Sequence, residues 1–163
     1  KILGIAHEAG KCLMIVVNKW DLVAKETNTM RDYERTLRAD LQFVSYAPII
    51  FTSVLEKKRI FDIIDKASKI EEIRSRRITT GKLNSIIEDA VMMRQPPSDK
   101  GKRLKIYYAS QIGSRPPLFS FNINSRELMH FSYSRYLENK LREAYDFEGT
   151  PIKFLFNEKK GDQ

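Results

Sequence analysis

Three polar side chains directly follow a short apolar run near the start of the sequence. The run is Cys12–Val17, and the polar residues are Asn18, Lys19 and Asp21. The run is too short to cross a membrane and has the length of a β-strand buried on both faces. Polar groups at the carboxyl end of such a strand lie where open parallel α/β sheets bind ligands. Asparagine and aspartate also form ordinary turns after strands, so an Asx turn is the alternative interpretation.

The pattern Asn18-Lys19-Trp20-Asp21 resembles the guanine-specificity motif Asn-Lys-x-Asp of the GTPase superfamily. The resemblance implies that the Asp21 carboxylate accepts hydrogen bonds from N1–H and the exocyclic amine of guanine. It also implies that Asn18 ties the loop together and that the alkyl stem of Lys19 lies over the base. Adenine has an acceptor at the equivalent ring nitrogen, so it would leave the carboxylate unpaired at a cost of roughly 1–3 kcal/mol.

A second loop motif follows one helix later. The strand candidate Pro48–Thr52 leads into Ser53, Val54 and Leu55. These residues resemble the Ser-Ala-Lys or Ser-Ala-Leu loop of GTPases, in which the serine supports the specificity aspartate and a backbone N–H meets the guanine carbonyl oxygen. Ser53 and Leu55 fit that pattern, whereas Val54 replaces alanine with a β-branched side chain, which keeps the backbone donor but adds bulk next to the base. Taken alone, the loop is more typical of an ordinary strand end.

Two other GTPase motifs have no counterpart in residues 1–75. The whole sequence contains no Gly-x-x-x-x-Gly-Lys-Ser/Thr phosphate-binding loop, and its one Asp-x-x-Gly pattern, Asp146–Gly149, follows both loop motifs in the sequence and is not taken as the motif for the Mg²⁺ side. Phosphoryl transfer depends on positioning around phosphate and Mg²⁺. We therefore expect no catalytic residue, no metal ligand and no turnover in this chain, with Mg²⁺ bound only in a longer parent protein. The abrupt start in what resembles the end of a helix, closed by Gly10, also suggests a fragment.

Residues 1–75 predict an α/β half domain. Apolar strands alternate with a helix from Thr29 to about Gln42 and with a second helix after Ile60. This order implies parallel strands joined by right-handed crossovers. Together with the two loop motifs, it indicates a parallel-sheet half domain, part of a P-loop GTPase fold, with a boundary near Ser75.

Residues 76–163 predict a second domain, of the α+β class. The order of elements is α-β-β-α-β, or α-β-β-α-α-β if a short turn is counted as a helix, which is the order of a type II KH domain with a three-stranded sheet. The predicted elements are a helix from Thr79 or Thr80, strands Arg103–Tyr108 and Leu118–Ile123 around a turn at Gln111–Pro117, a helix over Tyr133–Ala144, and a last strand Ile152–Phe156.

Longer blocks resemble the C-terminal part of the Der (EngA) family, bacterial GTPases with two tandem G domains and a C-terminal KH-like domain. The resemblance implies the later half of the second G domain followed by the KH-like domain. It also implies GTP and GDP as ligands, the preceding G domains of the parent as partners, and a role in assembly of the large ribosomal subunit. The blocks are Ala6–Lys11, Tyr46–Ile49, Gly101–Tyr108, Leu128–Tyr133, Arg135–Ala144 and Phe147–Ile152.

Positive charge is concentrated in the second half of the chain. Residues 1–75 carry 13 Lys/Arg and 11 Asp/Glu, a net charge of +2, whereas residues 76–163 carry 16 and 10, a net charge of +6. This surplus favours a polyanionic partner, with ribosomal RNA ahead of a membrane. Ordinary solvated charge is an equal alternative for the candidate RNA contacts, which are Lys102, Arg103, Lys105 and Arg115.

The junction between the last two predicted helices lacks the Gly-x-x-Gly clamp of nucleic-acid-binding KH domains. It reads His130-Phe131-Ser132-Tyr133, which gives a packing or docking role more weight. We expect the tyrosines at 107, 108, 133 and 136 mainly to pack in the core or at an interface rather than to stack on bases. Two hypotheses therefore stand: part of a ribosome-binding GTPase, and a non-enzymatic RNA- or protein-docking module with a residual nucleotide fold.

Composition indicates an ordinary soluble protein. The sequence is 42% hydrophobic and 31% charged, with no apolar run of membrane-spanning length. The single cysteine, Cys12, excludes an internal disulfide and fits a reducing compartment. We therefore expect a cytoplasmic protein.

Overall fold

The computed structural model describes residues 1–24 and 26–158, which form two compact units. The first unit consists of Lys1–Arg74 together with Phe147–Pro151, and the second of Ser75–Asp146 together with the segment that begins at Ile152. The domain limits predicted from the sequence, 1–75 and 76–163, differ from these units in two respects. Ser75 falls in the second unit. The segment Phe147–Pro151 lies with the first unit although it follows most of the second in sequence.

The first unit alternates helices and strands, as its sequence predicts. The elements in chain order are α1 (Ile2–Glu8), β1 (Ile15–Val17), α2 (Thr29–Asp40), β2 (Ile49–Phe51) and α3 (Ile60–Ser75). Strands β1 and β2 are parallel, with Val16 opposite Ile50 in the ladder. Two short 3-10 helices, Trp20–Leu22 and Gln42–Val44, follow β1 and α2 respectively.

Strand β1 is shorter and more exposed than its apolar run predicts. Only the last three residues of the run are in the strand, and Val16 is 41% exposed, so the expectation of burial on both faces is wrong. The run divides because the Leu13 N–H donates to the carbonyl oxygen of Gly149 at 2.8 Å, whereas the Ile15 N–H donates to that of Pro48 at 2.8 Å. The first part of the run thus contacts the returning segment, and only the second part pairs with the chain entering β2.

The returning segment Phe147–Pro151 is held by backbone and side-chain contacts within the first unit. The Gly149 N–H donates to the carbonyl oxygen of Tyr46 at 2.7 Å. The Lys66 ammonium pairs with the Glu148 carboxylate at 2.9 Å. Gly149 has a φ of +70°, and a Cβ at this position would lie 2.5 Å from Cδ1 of Ile70. Glycine is therefore required here by backbone conformation and by the close approach of α3.

The second unit has the α-β-β-α-β order that the sequence predicts, with an additional two-stranded hairpin. The elements are α4 (Thr80–Met93), β3 (Ser98–Asp99), β4 (Lys102–Arg103), β5 (Ile106–Ser114), β6 (Pro117–Ile123), α5 (Phe131–Ala144) and β7 (Lys153–Glu158). The three-stranded sheet has the order β5-β6-β7, with β5 antiparallel and β7 parallel to the central strand. Alternation along β6 places Phe119, Phe121 and Ile123 in the core, where Leu137 and Leu141 are also buried.

The turn predicted over Gln111–Pro117 is too long. Residues up to Ser114 continue β5, Pro117 already begins β6, and the turn is confined to Arg115 and Pro116. Gln111 pairs with Phe119 in the ladder, and its side-chain oxygen accepts from the Ile78 N–H at 2.7 Å. Gln111 is accommodated in this strand because its side chain accepts that hydrogen bond. Composition alone does not reveal this bond.

The four tyrosines of the second unit separate into two pairs. Tyr133 and Tyr136 donate to the carbonyl oxygens of Arg94 and Ala90, at 3.0 and 2.8 Å, so they close the end of α4. Burial raises the pKa of Tyr133 to about 12. Tyr107 and Tyr108 are exposed instead. The expectation of packing is therefore confirmed for the helical pair. Tyr107 and Tyr108 are not in the core, and their packing at an interface stays a prediction.

Replacing Gly149 by alanine tests whether the returning segment is part of the first unit. The new methyl group would collide with Ile70 and the positive φ would be strained, so we expect the free energy of unfolding to fall by about 3 kcal/mol. Trp20 is the only tryptophan and lies in the first unit. Chemical denaturation followed by its fluorescence measures the change.

The matched control is Gly101→Ala in the second unit. Gly101 also has a positive φ, +79°, but a Cβ there would have no neighbour within 4 Å. The substitution should cost about 1 kcal/mol from conformation alone, with a smaller effect on the Trp20 transition. Equal shifts of that transition in both variants would contradict the assignment.

Candidate functional site

The two loops predicted to carry the site begin at the same edge of the β1–β2 pair. Val17 and Phe51, the last residues of the two strands, are opposite each other. Beyond them the Thr52 N–H donates to the carbonyl oxygen of Val17 at 2.8 Å, and the Trp20 N–H donates to that of Thr52 at 3.0 Å. Backbone pairing thus brings together side chains that are far apart in the sequence.

Ser53 holds the carboxylate of Asp21. Its hydroxyl donates to Oδ1 of Asp21 at 2.5 Å and accepts from the Glu56 N–H at 3.1 Å. Ser53 is only 2% exposed, so these hydrogen bonds are shielded from water. Hydrogen bonds to charged groups are shorter and stronger than neutral ones. The orientation of the Asp21 carboxylate is therefore set by a buried hydroxyl on the neighbouring loop.

Asn18 and Lys19 lie on the outer side of the same loop. The side-chain oxygen of Asn18 is 3.5 Å from the hydroxyl of buried Thr52, a long and weak hydrogen bond. Lys19 has a left-handed backbone, with φ 58° and ψ 34°. This conformation costs a non-glycine residue about 1 kcal/mol. Such strain persists only where surrounding contacts enforce it, and the backbone bond of Trp20 is one of these contacts.

Trp20 anchors the loop, a role that the sequence motif does not assign. Its ring is buried, with centroids 4.5 Å from Phe51 and 5.5 Å from Tyr33. The buried Trp20 ring anchors the exposed Asn18 and Lys19 before it and the half-buried Asp21 after it. A large aromatic side chain between two polar residues could have indicated a buried anchor in the sequence. The motif Asn-Lys-x-Asp allows any residue at this position, so the sequence analysis assigned Trp20 no role.

The second loop closes tightly after Ser53. The Lys58 N–H donates to the carbonyl oxygen of Ser53 at 2.9 Å, and the Lys57 N–H donates to that of Val54 at 3.2 Å. Val54 and Leu55 are both exposed. This turn thus presents two apolar side chains to solvent beside a buried polar cluster.

A cavity of about 270 Å³ borders Asp21 and Ser53. Phe51 and Trp20 form apolar walls, and charged side chains including Arg59 complete the lining. The other two polar residues of the first loop, at positions 18 and 19, do not line this cavity. The structure therefore brings the predicted guanine-binding residues together at the carboxyl ends of β1 and β2. Of these residues, only Asp21 and Ser53 line this cavity.

A metal site is not evident in the part of the chain that the structure describes. No group of three or more His, Cys, Asp or Glu side chains there could hold a metal ion. Within the same described ranges, no helix has the length and hydrophobicity needed to cross a membrane.

Three of the four candidate RNA contacts lie together. Lys102, Arg103 and Lys105 are exposed on β4 and the segment leaving it, whereas Leu104 between them is buried. Asn124 fixes this segment, because its side chain accepts from the Lys105 N–H at 2.8 Å and donates to the Arg103 carbonyl oxygen at 2.9 Å. We call Lys102, Arg103 and Lys105 the basic cluster.

Arg115 is not part of the basic cluster. It lies beyond the far end of β5, whose nine residues separate it from Lys105. A strand of that length extends roughly 25–30 Å. The Arg115 guanidinium instead donates to the hydroxyl of Ser75 at 3.0 Å. Arg115 therefore lies apart from the other three candidates, because the hairpin turn comes later than the sequence predicts, and its contact with RNA stays a prediction.

Comparison with known proteins gives the family. The KH-domain-like model of EngA bacterial GTPase enzymes, C-terminal, matches residues 77–157. The chain is 54% identical over 156 residues to the GTPase Der of Finegoldia magna, covering 96% of this chain and 36% of that protein. It is 50% identical over 161 residues to the GTPase Der of Alkaliphilus oremlandii, covering 99% and 37%. It is 53% identical over 159 residues to the GTPase Der of Acetivibrio thermocellus, covering 98% and 36%.

The chain belongs to the Der (EngA) family. It spans little more than a third of the length of the curated relatives it matches. The resemblance to the C-terminal part of Der, and the KH-like character of the second unit, are confirmed. In this Der-family unit, the junction that would carry a Gly-x-x-Gly clamp begins helix α5, and its Tyr133 is packed against the end of α4.

Substituting Ser53 by alanine tests the polar cluster at the two loops. The variant removes a buried donor to Asp21 and the acceptor of the Glu56 N–H, so stability should fall by about 1–3 kcal/mol. Denaturation followed by Trp20 fluorescence reports the change. Ser68→Ala on the exposed face of α3 is the control and should change stability by less than about 0.5 kcal/mol. A Ser53→Ala variant as stable as this control would show that the hydroxyl is not a structural link.

Proposed function

We propose that the first unit is the base-recognition half of a P-loop-type guanine-nucleotide-binding domain, in a parent protein that hydrolyses GTP. The hydrogen bond from Ser53 to Asp21 carries this proposal. It holds a carboxylate at the carboxyl end of paired parallel strands, where such sheets bind ligands. Similarity to relatives named GTPase Der supports the same activity.

Each residue of the two loops has a specific task in this proposal. Asp21 accepts from N1–H and the exocyclic amine of guanine, and Ser53 keeps its carboxylate oriented. Asn18 links the loops through Thr52, and the stem of Lys19 covers the base. A backbone N–H at position 54 or 55 donates to the guanine carbonyl oxygen. Adenine offers no N1–H, so it would leave a desolvated carboxylate unsatisfied.

The phosphate-binding part of the domain is assigned to the rest of the parent. The sequence has no phosphate-binding loop, so the contacts to phosphate and the ligands of Mg²⁺ come from elsewhere. Exposed apolar side chains at Ile2, Ile5 and Val16 support packing against the preceding G-domain segment. We accordingly propose that this chain alone binds GTP weakly and does not hydrolyse it.

Asp21→Asn in the intact parent tests the assignment of the base reader. The asparagine amide has a donor where one of the two carboxylate oxygens of Asp21 was an acceptor, so one hydrogen bond from guanine is lost. Loss of a charged hydrogen bond should lower the affinity for GTP at least about tenfold. Xanthine has a carbonyl in place of the amine, so the variant should prefer XTP. Competition between labelled GTP and XTP measures the preference.

Asp40→Asn, at the exposed end of α2, is the matched control and should leave both affinities unchanged. Retention of a preference for GTP over XTP by the Asp21→Asn variant would remove Asp21 from this role.

We further propose that the second unit contacts ribosomal RNA, with the large ribosomal subunit as the partner of a cytoplasmic parent. The basic cluster favours this function, because its three exposed cations fall within a stretch of four residues and residues 76–163 carry a net charge of +6. Cations that neutralise phosphates release counterions, which drives binding without sequence specificity. The alternative for the whole chain is a non-enzymatic RNA- or protein-docking module with a residual nucleotide fold.

Replacing Lys102, Arg103 and Lys105 together by alanine tests this contact. Affinity for the large subunit should fall roughly tenfold or more, and the slope of log affinity against log salt should flatten by about two to three. The measurement is subunit binding across a salt series.

Two controls match this experiment. Lys1, Lys11 and Lys69, replaced together, remove the same charge from the first unit, and Arg115→Ala removes the distant candidate. Both should have smaller effects. A basic-cluster variant with unchanged slope and affinity would identify the cluster as ordinary solvated charge.

A further inference from the structure

Two consecutive tyrosines face solvent at the start of β5. Tyr107 is 55% exposed and Tyr108 is 46% exposed. In a regular strand successive side chains point to opposite faces, so one of the two would enter the core. The ladder shifts register between Ile106 and Tyr108, which leaves Tyr107 as the extra residue of a β-bulge. Such bulges redirect a side chain, and this one places both aromatic rings outside the core.

About half of each tyrosine side chain remains exposed to solvent. Among the residues that the structure describes, the side chains of Tyr107 and Tyr108 make no hydrogen bond, ion pair or ring contact. This contrasts with Tyr133 and Tyr136, whose hydroxyls close α4. Burying a large aromatic side chain is favourable, so leaving about half of each side chain in water forgoes part of that stabilisation. Their exposure beside one another therefore points to a ligand rather than to packing.

The surroundings of the tyrosines are polar and positively charged. Lys105 lies two residues before Tyr107 and belongs to the basic cluster. Tyr108 is opposite Asn122, which is opposite Asn157 in β7, so these three residues form a row on one face of the sheet. The buried residues at positions 109 and 121 are on the other face. The row thus combines an aromatic ring with amide groups, which both donate and accept hydrogen bonds.

We propose that Tyr107 and Tyr108 form a stacking surface for unpaired RNA bases, while the basic cluster holds the adjoining phosphates. This inference rests on the RNA contact proposed above and names the kind of RNA. Bases inside a duplex are stacked on each other, which covers their faces, whereas unpaired bases stack on aromatic rings. The neighbouring cations favour a polyanion over an apolar protein surface.

The experiment compares three ligands that carry similar phosphates but different bases. They are an unstructured single-stranded RNA, the duplex formed from it, and the same strand with abasic sites. The variants of the full chain are Tyr107→Ala/Tyr108→Ala and the conservative Tyr107→Phe/Tyr108→Phe. The basic-cluster triple variant is included in parallel. Fluorescence anisotropy across a salt series gives affinity and salt slope, and circular dichroism verifies folding.

The alanine pair should bind single-stranded RNA about 10- to 100-fold more weakly, with an unchanged salt slope. Its affinity for the duplex and the abasic strand should equal that of the unmodified chain. The phenylalanine pair should retain single-strand binding, because it keeps the rings and removes only the hydroxyls. The basic-cluster variant should bind all three ligands more weakly.

Distinct results would overturn the two proposals separately. If the alanine pair binds every ligand as the unmodified chain does, or weakens all three equally, the stacking surface is wrong and the RNA contact stands. If the basic-cluster variant changes neither affinity nor slope, the RNA contact itself is wrong. If the alanine pair loses only its association with the separately produced preceding G domains, the surface binds protein and the stacking proposal is overturned.

Discussion

The hydrogen bond between Ser53 and Asp21 is the interaction on which the candidate base site depends. It joins residues 32 positions apart, and it exists because β1 and β2 are parallel and end side by side. Trp20 holds one loop in the core, while the Ser53–Lys58 pairing closes the other. The carboxylate is thereby oriented before any ligand arrives. Preorganisation of this kind reduces the ordering cost of binding.

The first unit also depends on residues that come late in the sequence. The segment Phe147–Pro151 supplies backbone partners to Leu13 and Tyr46, and its glycine is in close contact with α3. The chain therefore passes between the two units three times. Closing so long a loop costs conformational entropy, which the hydrogen bonds and packing of the returning segment must offset. The folding of the first unit is thus coupled to continuity of the chain through the second.

A single extra residue changes the surface of the second unit. The bulge at Tyr107 interrupts the alternation of exposed and buried side chains that begins at Arg103. As a result, two aromatic rings are exposed beside the basic cluster. The hairpin turn at Arg115 has the opposite effect on charge, since the longer strand carries that arginine away from the cluster. The distribution of cations and rings in this KH-like unit follows from ladder register, not from composition.

The order of elements, the parallel pairing of the first two strands and the positions of the loop motifs could be predicted from the sequence, because they depend on local periodicity and short spacings. Features that depend on residues far apart could be seen only in the folded chain. Trp20 became an anchor because two other aromatic rings surround it, and the apolar run Cys12–Val17 was divided because Gly149 takes the Leu13 N–H. The bulge at Tyr107 was invisible in the sequence, since a register shift is a property of two strands together. Local pattern specifies which face a residue prefers, but only the partner strand or segment specifies whether that face is covered.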